Sequence, residues 1–186
     1  MARELIGVCL VRQAADGLSA GMIVETEAYG GPDDAASHAR AGMTRRTAPM
    51  FGPVGHAYVY LVYGMHECLN VTARHGRPAG AVLLRALEPV TGLELMRLRR
   101  ARPAERGDRL AAGPARLCQA MAVDRSFDGH DLTAGSELWL SRPAGDAPVA
   151  TDAVQSGRRV GVAYAGDEWS ARPWRFWLRG SPSVSR

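Results

Sequence analysis

The sequence predicts a single domain that mixes strands with helices. At 186 residues the chain is long enough to bury a sizeable core and short enough to form one domain. Runs rich in valine, leucine and tyrosine lie between clusters of glycine, proline and aspartate, which is typical of strands joined by turns. Other segments carry helix-capping residues or an early proline. We see no internal repeat and no interdomain linker, so residues 1–186 are predicted to form one unit.

The N-terminal segment is predicted to be a helix followed by a strand. In residues 2–13 the apolar side chains include Leu5, Ile6, Cys9 and Leu10. This helical spacing ends in the turn-rich residues 14–17. Residues 21–32 are typical of a strand that glycines and a proline stop. By the two-residue period of a strand, one face carries Ile23, Glu25, Glu27 and Tyr29.

Glu27 is the first candidate for a functional residue. It lies beside Tyr29 at the end of the predicted strand, as a site requires when a carboxylate must act next to a stacking ring. Two other interpretations are open. A single glutamate on an edge strand usually faces solvent, and Glu25 with Glu27 could instead form a general acid and base pair. Of the two glutamates, we expect Glu25 to be the structural one.

The segment after this strand is predicted to be a short helix and then a loop. Residues 33–40 have an acidic first turn, which favours a helix, and His38 lies near its end. Residues 43–55 predict a loop. Its arginines, Arg45 and Arg46, would either meet phosphates or face solvent.

Residues 58–72 are typical of a β-hairpin. Tyr58 and Tyr60 share one face of the first strand, and Tyr63 lies at the tip beside Gly64. Three tyrosines so close together supply flat stacking surfaces and a projecting wedge, which suits a protein that opens a stacked nucleic acid. The alternative is that they are half-buried packing residues, as strand tyrosines usually are, and this stretch alone favours packing.

A strand is predicted over residues 81–87, after a loop over residues 74–80. Arg85 interrupts its apolar run, and a charge in such a run must be paired to be tolerated. We therefore expect an ion pair between Arg85 and a glutamate of the first strand.

The second half of the chain predicts two helices and three strands. Thr91 and Glu94 form a capping box that opens a helix ending near Arg102, before Pro103, and a charged loop follows. Pro114 begins the second helix, over residues 113–121. The predicted strands are residues 136–142, 158–164 and 174–179, separated by turns at residues 143–146 and 165–167.

The composition narrows the possible chemistry. All 23 basic side chains are arginine, and the net charge of +4 is weak evidence for a nucleic-acid partner. Without lysine, only the α-amino group could form a Schiff base. The three cysteines lie far apart, which favours reduced thiols, and His66 with Cys68 lacks a second pair of metal ligands at suitable spacing. No apolar run is of membrane-spanning length and no signal peptide is evident, so we expect an intracellular protein.

Several motifs occur in order along nearly the whole chain. They are residues Val24–Tyr29, Tyr58–Tyr60, Tyr63–Met65 with Cys68 and Asn70, Leu83–Pro89, Gly113–Pro114 with Leu117–Cys118, and Arg179–Pro182. Together they resemble the alkyladenine (methylpurine, or 3-methyladenine) DNA glycosylase family. This resemblance implies a single α+β domain, with a curved, mostly antiparallel sheet flanked by helices and a protruding hairpin that enters the DNA minor groove.

The resemblance also implies an activity and roles for the residues that carry it out. Such enzymes flip alkylated or deaminated purines out of duplex DNA and hydrolyse the N-glycosidic bond. Glu27 would be the general base that activates water, helped by Arg85 and by the carbonyl of Val160. Tyr63 would be the wedge that fills the vacated stack, with Met65 beside it.

The flipped base would be held by a second group of residues. Tyr29 and Tyr60 would sandwich it, His38 would bond to it and to its sugar-phosphate, and Asn70 and Leu83 would line the pocket. The implied partner is damaged double-stranded DNA, and the expectation is a monomer that needs no cofactor or metal and binds no membrane. In a bacterium it would act in the cytoplasm or nucleoid, and in a eukaryote in the nucleus.

Three classes of function compete at this point. The first is a monofunctional DNA glycosylase, the second a catalytically silent lesion-binding protein, and the third a nucleoside hydrolase that acts on free small molecules. The retained Glu27 and Arg85 argue against a silent protein. A wedge tyrosine among arginines has no evident use in a nucleoside hydrolase.

Overall fold

The fold is described from a computed structural model of the chain. The structure describes residues 1–74, 76, 78–142 and 148–185. The turn predicted at residues 143–146 lies outside these residues, as does part of the loop predicted at residues 74–80.

The described residues form strands and short helices in a mixed order. The strands are β1 (Cys9–Ala14), β2 (Gly17–Tyr29), β3 (Ala57–Val62), β4 (His66–Thr72), β5 (Ala81–Thr91), β6 (Leu138–Ser141), β7 (Val154–Gly157) and β8 (Arg175–Leu178). The α-helices are α1 (Ala48–Phe51), α2 (Leu93–Arg99), α3 (Gly107–Leu110), α4 (Pro114–Ala120) and α5 (Asp167–Ser170). Single 3₁₀ turns occur at His38–Ala41, Arg125–Phe127, Thr151–Ala153 and Ala163–Ala165.

The strands make one curled antiparallel sheet. Its order is β3-β4-β5-β2-β1-β6, and β8 pairs with both β2 and β7. Strand β2 pairs with β5 on one side. On its other side the N-terminal half pairs with β1 and residues Glu25–Glu27 pair with β8. The predicted single α+β domain with a mostly antiparallel sheet is confirmed.

One face of the sheet packs against helices α2 and α4 to form the main core. The helices contribute Met96, Leu117 and Cys118, which are buried against sheet residues such as Leu69 and Leu84. A smaller cluster on the other side comprises Ala39, Met50, Tyr58, Ala79 and Ala81. Among the described residues, no helix is both long and apolar enough to span a bilayer.

The helix predicted over residues 2–13 is wrong. Residues 9–14 form strand β1, which pairs with β2 through a tight turn where Ala14 lies opposite Gly17. The apolar pattern of this short segment is compatible with either structure, and pairing with β2 and β6 decides for the strand. Gly17 has a φ of +129° at this turn, a value that favours glycine.

Two further elements differ from the predictions. The helix predicted at residues 33–40 is a bend followed by a 3₁₀ turn, so His38 begins that turn instead of ending a helix. The strand predicted at residues 158–164 is also wrong: β7 ends at Gly157, and residues 163–165 form a 3₁₀ turn.

The capping box predicted before helix α2 is not formed. Thr91 ends strand β5, and Gly92, with φ +79°, precedes the helix without a side-chain cap. A Cβ atom at Gly92 would lie 2.6 Å from the carbonyl oxygen of Leu18, so the close approach requires glycine. The helix that Pro114 begins and the strands around residues 138–141 and 175–178 are confirmed.

Candidate active site

One row of side chains crosses four neighbouring strands on the same face of the sheet. The row consists of Tyr58, Asn70, Leu83 and Glu27, each directly opposite the next in the strand register. Paired residues of an antiparallel ladder point to the same side, so the register aligns three predicted site residues. The Asn70 amide also donates a hydrogen bond of 3.0 Å to the carbonyl of Tyr58.

Two opposed β-bulges lie beside this row. The register skips Val24 on β2 and Arg85 on β5, which are the extra residues. A bulge redirects side chains, and here the prediction that Ile23 shares a face with Glu25 is wrong. Ile23 packs into the main core, whereas Glu25 contacts Arg85. The predicted pairing of Arg85 with a glutamate of this strand is confirmed.

Glu27 is fully buried and held by two hydrogen bonds and one ion pair. The N–H of Val160 donates to Oε1 at 2.7 Å, and Nη1 of Arg85 lies 3.3 Å from the same oxygen. The Tyr29 hydroxyl donates to Oε2 at 2.9 Å. The resemblance implies a role for the carbonyl of Val160, and the contact with Glu27 is made by the N–H group of that residue. The carboxylate is therefore fixed, with Oε2 on the side of Tyr29.

Glu25 lies near Glu27, and hydrogen bonds within the fold hold both of its carboxylate oxygens. Its Oε1 accepts hydrogen bonds from Arg85, Arg175 and the Ser185 hydroxyl, and its Oε2 accepts one from the Ser185 N–H. Burial alone would lower the pKa of Arg85, but the charges of Glu27 and Glu25 outweigh it and raise that pKa. Arg85 thus stays a cation beneath the site, between the two glutamates.

A pocket opens beside Glu27 with an empty volume of about 350 Å³. It is lined by Tyr29, Ala36, His38, Met50, Tyr58, Tyr60, Asn70, Ala81 and Tyr164. Four of the five residues predicted to hold a base are therefore in its wall. Leu83 is buried in the row next to Asn70 and is not among the lining residues in the described part of the chain.

The polar groups of the pocket are held in their neutral forms. Nδ1 of His38 lies 2.9 Å from the Tyr58 hydroxyl, and its ring meets Tyr60 edge-on, with centroids 4.6 Å apart. Burial, and then the charge of Arg46, lower the pKa of His38. Burial raises the pKa of Tyr58 to about 12 and raises the pKa of Tyr29 and Tyr60 further. The pocket therefore has aromatic walls that carry fixed, uncharged hydrogen-bonding groups.

The hairpin tip is exposed and strained. Tyr63 is 89% exposed and Met65 is 70% exposed. Tyr63 has a φ of +53° and Gly64 a φ of +70°, the combination that a type I′ turn requires. A bulky residue in this region is an outlier, which points to a role for the Tyr63 side chain beyond the turn itself.

A buried ion pair behind Tyr29 was not predicted from the sequence. Both side chains of the pair, Asp34 and Arg159, are inaccessible to solvent, and two hydrogen bonds of 2.6 and 3.0 Å join them. The guanidinium of Arg159 lies 4.8 Å from the ring centroid of Tyr29 and 5.0 Å from that of Trp174. Since Val160 follows Arg159 in the chain, the same segment supports the Tyr29 ring and the Glu27 carboxylate.

Asp34 also organises the loop after strand β2. It accepts hydrogen bonds from the N–H groups of Gly30 and Ala36. Burial alone would raise the pKa of Asp34, but the hydrogen bonds from Arg159 and from these two N–H groups lower it below its usual value. In the sequence, Asp34 was assigned to a helix turn and Arg159 to a strand. Neither local pattern indicates that residues 125 positions apart would meet.

Tyr164 is a second residue that sequence reasoning missed. It lines the pocket although 72% of it is exposed, and its hydroxyl donates to the carbonyl of Ala36 at 3.2 Å. Gly161 and Gly166, with φ values of +73° and +80°, flank its short 3₁₀ turn. Tyr164 therefore lies at the mouth of the pocket.

The described residues contain no evident metal-binding site. Within 1–74, 76, 78–142 and 148–185, no group of three or more histidine, cysteine or acidic side chains is arranged to hold a metal ion. Cys68 and Cys118 are buried free thiols. Burial raises the pKa of both Cys68 and Cys118, which opposes thiolate formation.

Comparison with protein families gives one match over almost the whole chain. The family model described as methylpurine-DNA glycosylase (MPG) matches residues 1–182. The match includes every residue of the row, the pocket and the hairpin tip.

Individual relatives agree with this family. A relative from Methanocella arvoryzae is 48% identical over 187 residues, covering 100% of this chain and 90% of its own length. One from Anaeromyxobacter dehalogenans strain 2CP-1 is 52% identical over 188 residues, covering 100% and 80%. Both carry the provisional name 3-methyladenine DNA glycosylase. The human DNA-3-methyladenine glycosylase is 44% identical over 194 residues, with 100% of this chain and 63% of the human protein covered.

Proposed function

Because this chain belongs to the methylpurine-DNA glycosylase family, we propose that it is a monofunctional DNA glycosylase of base-excision repair. Its substrates would be alkylated purines such as 3-methyladenine, and its partner would be damaged double-stranded DNA. We expect it to act as a monomer.

The observation that carries the proposal is the position of Glu27 next to the aromatic pocket. The carboxylate is held by Arg85 and the N–H of Val160 on one oxygen, and its other oxygen meets the hydroxyl of Tyr29, which lines the pocket. Aromatic rings with a few fixed hydrogen-bonding groups line the pocket, as is typical of small-molecule sites. A base held in the pocket would present its glycosidic bond close to this carboxylate.

The reaction would begin with extrusion of the damaged nucleotide. Tyr63, at the exposed tip, would fill the gap left in the base stack, and the base would enter between Tyr29 and Tyr60. Extrusion costs a few kcal/mol of stacking and pairing, least for a damaged or mismatched base. Stacking against the two tyrosine rings would recover part of this cost.

Hydrolysis would follow with Glu27 as general base. Water would attack C1′ as the bond from C1′ to the purine nitrogen breaks, the bonding electrons would leave with the base, and Glu27 would take the proton of the water. The negative carboxylate would also stabilise the positive charge that develops on the sugar. A cationic alkylpurine leaves as a neutral base, whereas a neutral lesion must gain a proton as it departs.

Strand cleavage is not part of the proposed activity. A lyase reaction at the abasic product requires an amine nucleophile, and the sequence has no lysine. Only an α-amino group could take that role.

One release assay tests the proposal against its two rivals. Duplex DNA with a single 3-methyladenine or 7-methylguanine and the corresponding free nucleoside would be incubated with wild-type protein and with Glu27→Gln. We expect the wild-type protein to release base from duplex DNA only, leaving an unbroken abasic strand. Tight lesion binding without release would support a silent binding protein, and release from the free nucleoside would support a nucleoside hydrolase.

A further inference from the structure

Both aromatic walls of the pocket are backed by an arginine. Arg159 lies over the ring of Tyr29 at 4.8 Å from its centroid, and Arg46 lies over the ring of Tyr60 at 5.4 Å. Neither arginine is among the residues that line the pocket in the described part of the chain. Arg46 instead lines an adjoining pocket, which shares His38 with this one.

The two arginines differ in whether a carboxylate compensates their positive charge. Arg159 is neutralised by the bidentate ion pair with Asp34. Arg46 is exposed and, across residues 1–74, 76, 78–142 and 148–185, forms no ion pair with a carboxylate. Its contacts are with the ring of Tyr60 and the hydroxyl of Tyr58. Arg46 thus brings an uncompensated positive charge next to one wall.

A positive charge behind an aromatic ring weakens the attraction of that ring for a second cation. The face of a tyrosine ring is electron-rich and attracts cations, and a guanidinium on one side draws on the same electron density. The guanidinium also repels a second positive charge directly, across a pocket wall of low polarity. Both effects act on a positively charged base and leave a neutral base of similar shape almost unaffected.

We propose that Arg46 is a specificity-determining residue, which disfavours positively charged alkylpurines relative to neutral lesion bases. This inference rests on the proposed glycosylase function. The lesion classes it separates are N-alkylated purines that carry a formal charge, such as 7-methylguanine, and neutral bases, such as hypoxanthine. Arg46 acts on the bound base through the ring of Tyr60, without a hydrogen bond to it.

His38 gives independent support for this electrostatic effect. It lines the same pocket and packs edge-on against Tyr60. Its pKa is lowered by burial and by the charge of Arg46. Arg46 therefore already disfavours the cationic form of His38 in this pocket, as it would disfavour a cationic base bound there.

The neighbouring arginine provides a matched control. Arg45 and Arg46 are adjacent, exposed and of equal charge, but only Arg46 lies over a pocket ring among the described cation–π contacts. Single-turnover excision would be measured at subsaturating enzyme on duplexes of one sequence that carry 7-methylguanine or hypoxanthine. The quantity compared is the ratio of kcat/KM for the cationic lesion to kcat/KM for the neutral one, in wild type, Arg46→Gln, Arg46→Lys and Arg45→Gln.

We expect Arg46→Gln to raise this ratio about three- to ten-fold, the range for loss of one partly screened charge at this distance. Arg46→Lys, which retains the charge, should stay close to the wild-type ratio. Arg45→Gln should change both excision rates by one common factor and leave the ratio unchanged. Titration of the His38 ring by NMR should give a higher pKa in Arg46→Gln than in wild type.

The proposal is overturned if the ratio for Arg46→Gln stays within two-fold of the wild-type ratio. A uniform loss on both lesions would likewise overturn it and would identify Arg46 as a backbone-phosphate contact. If wild-type protein releases neither of these lesions nor 3-methyladenine, the proposed function fails and the inference fails with it. If wild-type protein releases base and only the ratio is unresponsive, the inference alone is wrong.

Discussion

The floor of the site, at Glu27, and the tip of the hairpin, at Tyr63, hold their side chains in opposite ways. At the floor, Glu27 is inaccessible to solvent, and two hydrogen bonds and the ion pair with Arg85 fix its two oxygens. At the tip, Tyr63 is 89% exposed and lies in a turn, at a φ of +53°. The Glu27 side chain is rigid because several contacts hold its carboxylate. The Tyr63 side chain projects from the protein because it packs little against other residues.

This difference separates the steps that each region can control. A general base must keep its oxygen in one place for the bond-breaking step, and a buried, fully bonded carboxylate meets that requirement. A wedge must leave the protein surface and enter another molecule, so it needs exposure instead of packing. Variants of the floor should therefore affect chemistry in every DNA context, whereas variants of the tip should depend on the context.

The largest effect is expected at Glu27. We predict that Glu27→Gln keeps lesion binding and slows excision by about two to four decades, the usual range for removal of a general base. The fold should survive, because Arg85 keeps its hydrogen bonds to Glu25 and Ser185. Single-turnover excision and a lesion-binding titration on the same duplex provide the two measurements.

Glu25 supplies the control for this variant. Glu25→Gln removes the carboxylate that accepts hydrogen bonds from Arg85, Arg175 and Ser185, so it should lower the free energy of unfolding more than Glu27→Gln does. Excision by Glu27→Gln at close to the wild-type rate, with its fold intact, would exclude Glu27 as the base.

The next effect is expected at the ion pair behind Tyr29. Asp34→Asn leaves Arg159 buried without a charged partner, and loss of one member of such a pair costs about 3–5 kcal/mol of stability. Since Arg159 supports the Tyr29 ring and Val160 contacts Glu27, the remaining folded protein should also excise more slowly. Urea unfolding measures the first effect, and excision at saturating enzyme measures the second.

A nearby exposed pair is the matched control for Asp34. Glu168 and Arg172 form an i,i+4 pair whose glutamate is 72% exposed, and Glu168→Gln should cost less than about 1 kcal/mol. Because the folded-state pKa of Asp34 is lowered, its contribution is present above the ordinary carboxyl pKa and is lost as pH falls through the folded value. Wild type and Asp34→Asn should therefore converge in stability in acid. An equal cost of Asp34→Asn and Glu168→Gln at neutral pH would disprove the structural role of the buried pair.

The same contrast explains what could be predicted from the sequence. The hairpin, with Tyr58, Tyr60 and Tyr63 in their places, follows from a two-residue period and a glycine turn, both of which are local signals. The pairing of Arg85 was predictable because a charge in an apolar strand requires a partner. The resemblance, and not the local pattern, supplied the roles of Glu27, His38 and Asn70.

The supports of the site could not be predicted, because they join distant segments. Ser185 donates to Glu25 across 160 positions, and Arg159 meets Asp34 across 125. Such contacts depend on the route of the chain, which propensity and periodicity do not encode. The bulge that moves Ile23 away from the face of Glu25 has the same origin, since it depends on register with β5 and not on the sequence of β2 alone.

A smaller and context-dependent effect is expected at the tip. We predict that Tyr63→Ala slows excision most for a well-paired lesion and least for a mismatched duplex or a single strand, where less stacking is lost on extrusion. Truncation of Tyr29 or Tyr60 should instead slow excision in every context, because these rings line the pocket itself. The measurement is single-turnover excision at saturating enzyme, with a fluorescent stacked base as the probe of flipping. Equal slowing of all three substrates by Tyr63→Ala, with an unchanged flipping equilibrium, would mean that Tyr63 only packs the hairpin.

The smallest effect, and the one that separates the tip most clearly from the floor, is on stability. Tyr63 holds a positive φ that asparagine tolerates better than a bulky aromatic residue does, and such strain costs on the order of 1–3 kcal/mol. We therefore predict that Tyr63→Asn raises the free energy of unfolding by up to about 1 kcal/mol while it weakens flipping of a well-paired lesion. At Glu25 and Asp34, by contrast, the two quantities should move together, since the contacts of these residues support both fold and site. A Tyr63→Asn variant that loses stability and activity in parallel, by urea unfolding and single-turnover excision, would place Tyr63 among the packing residues of the hairpin.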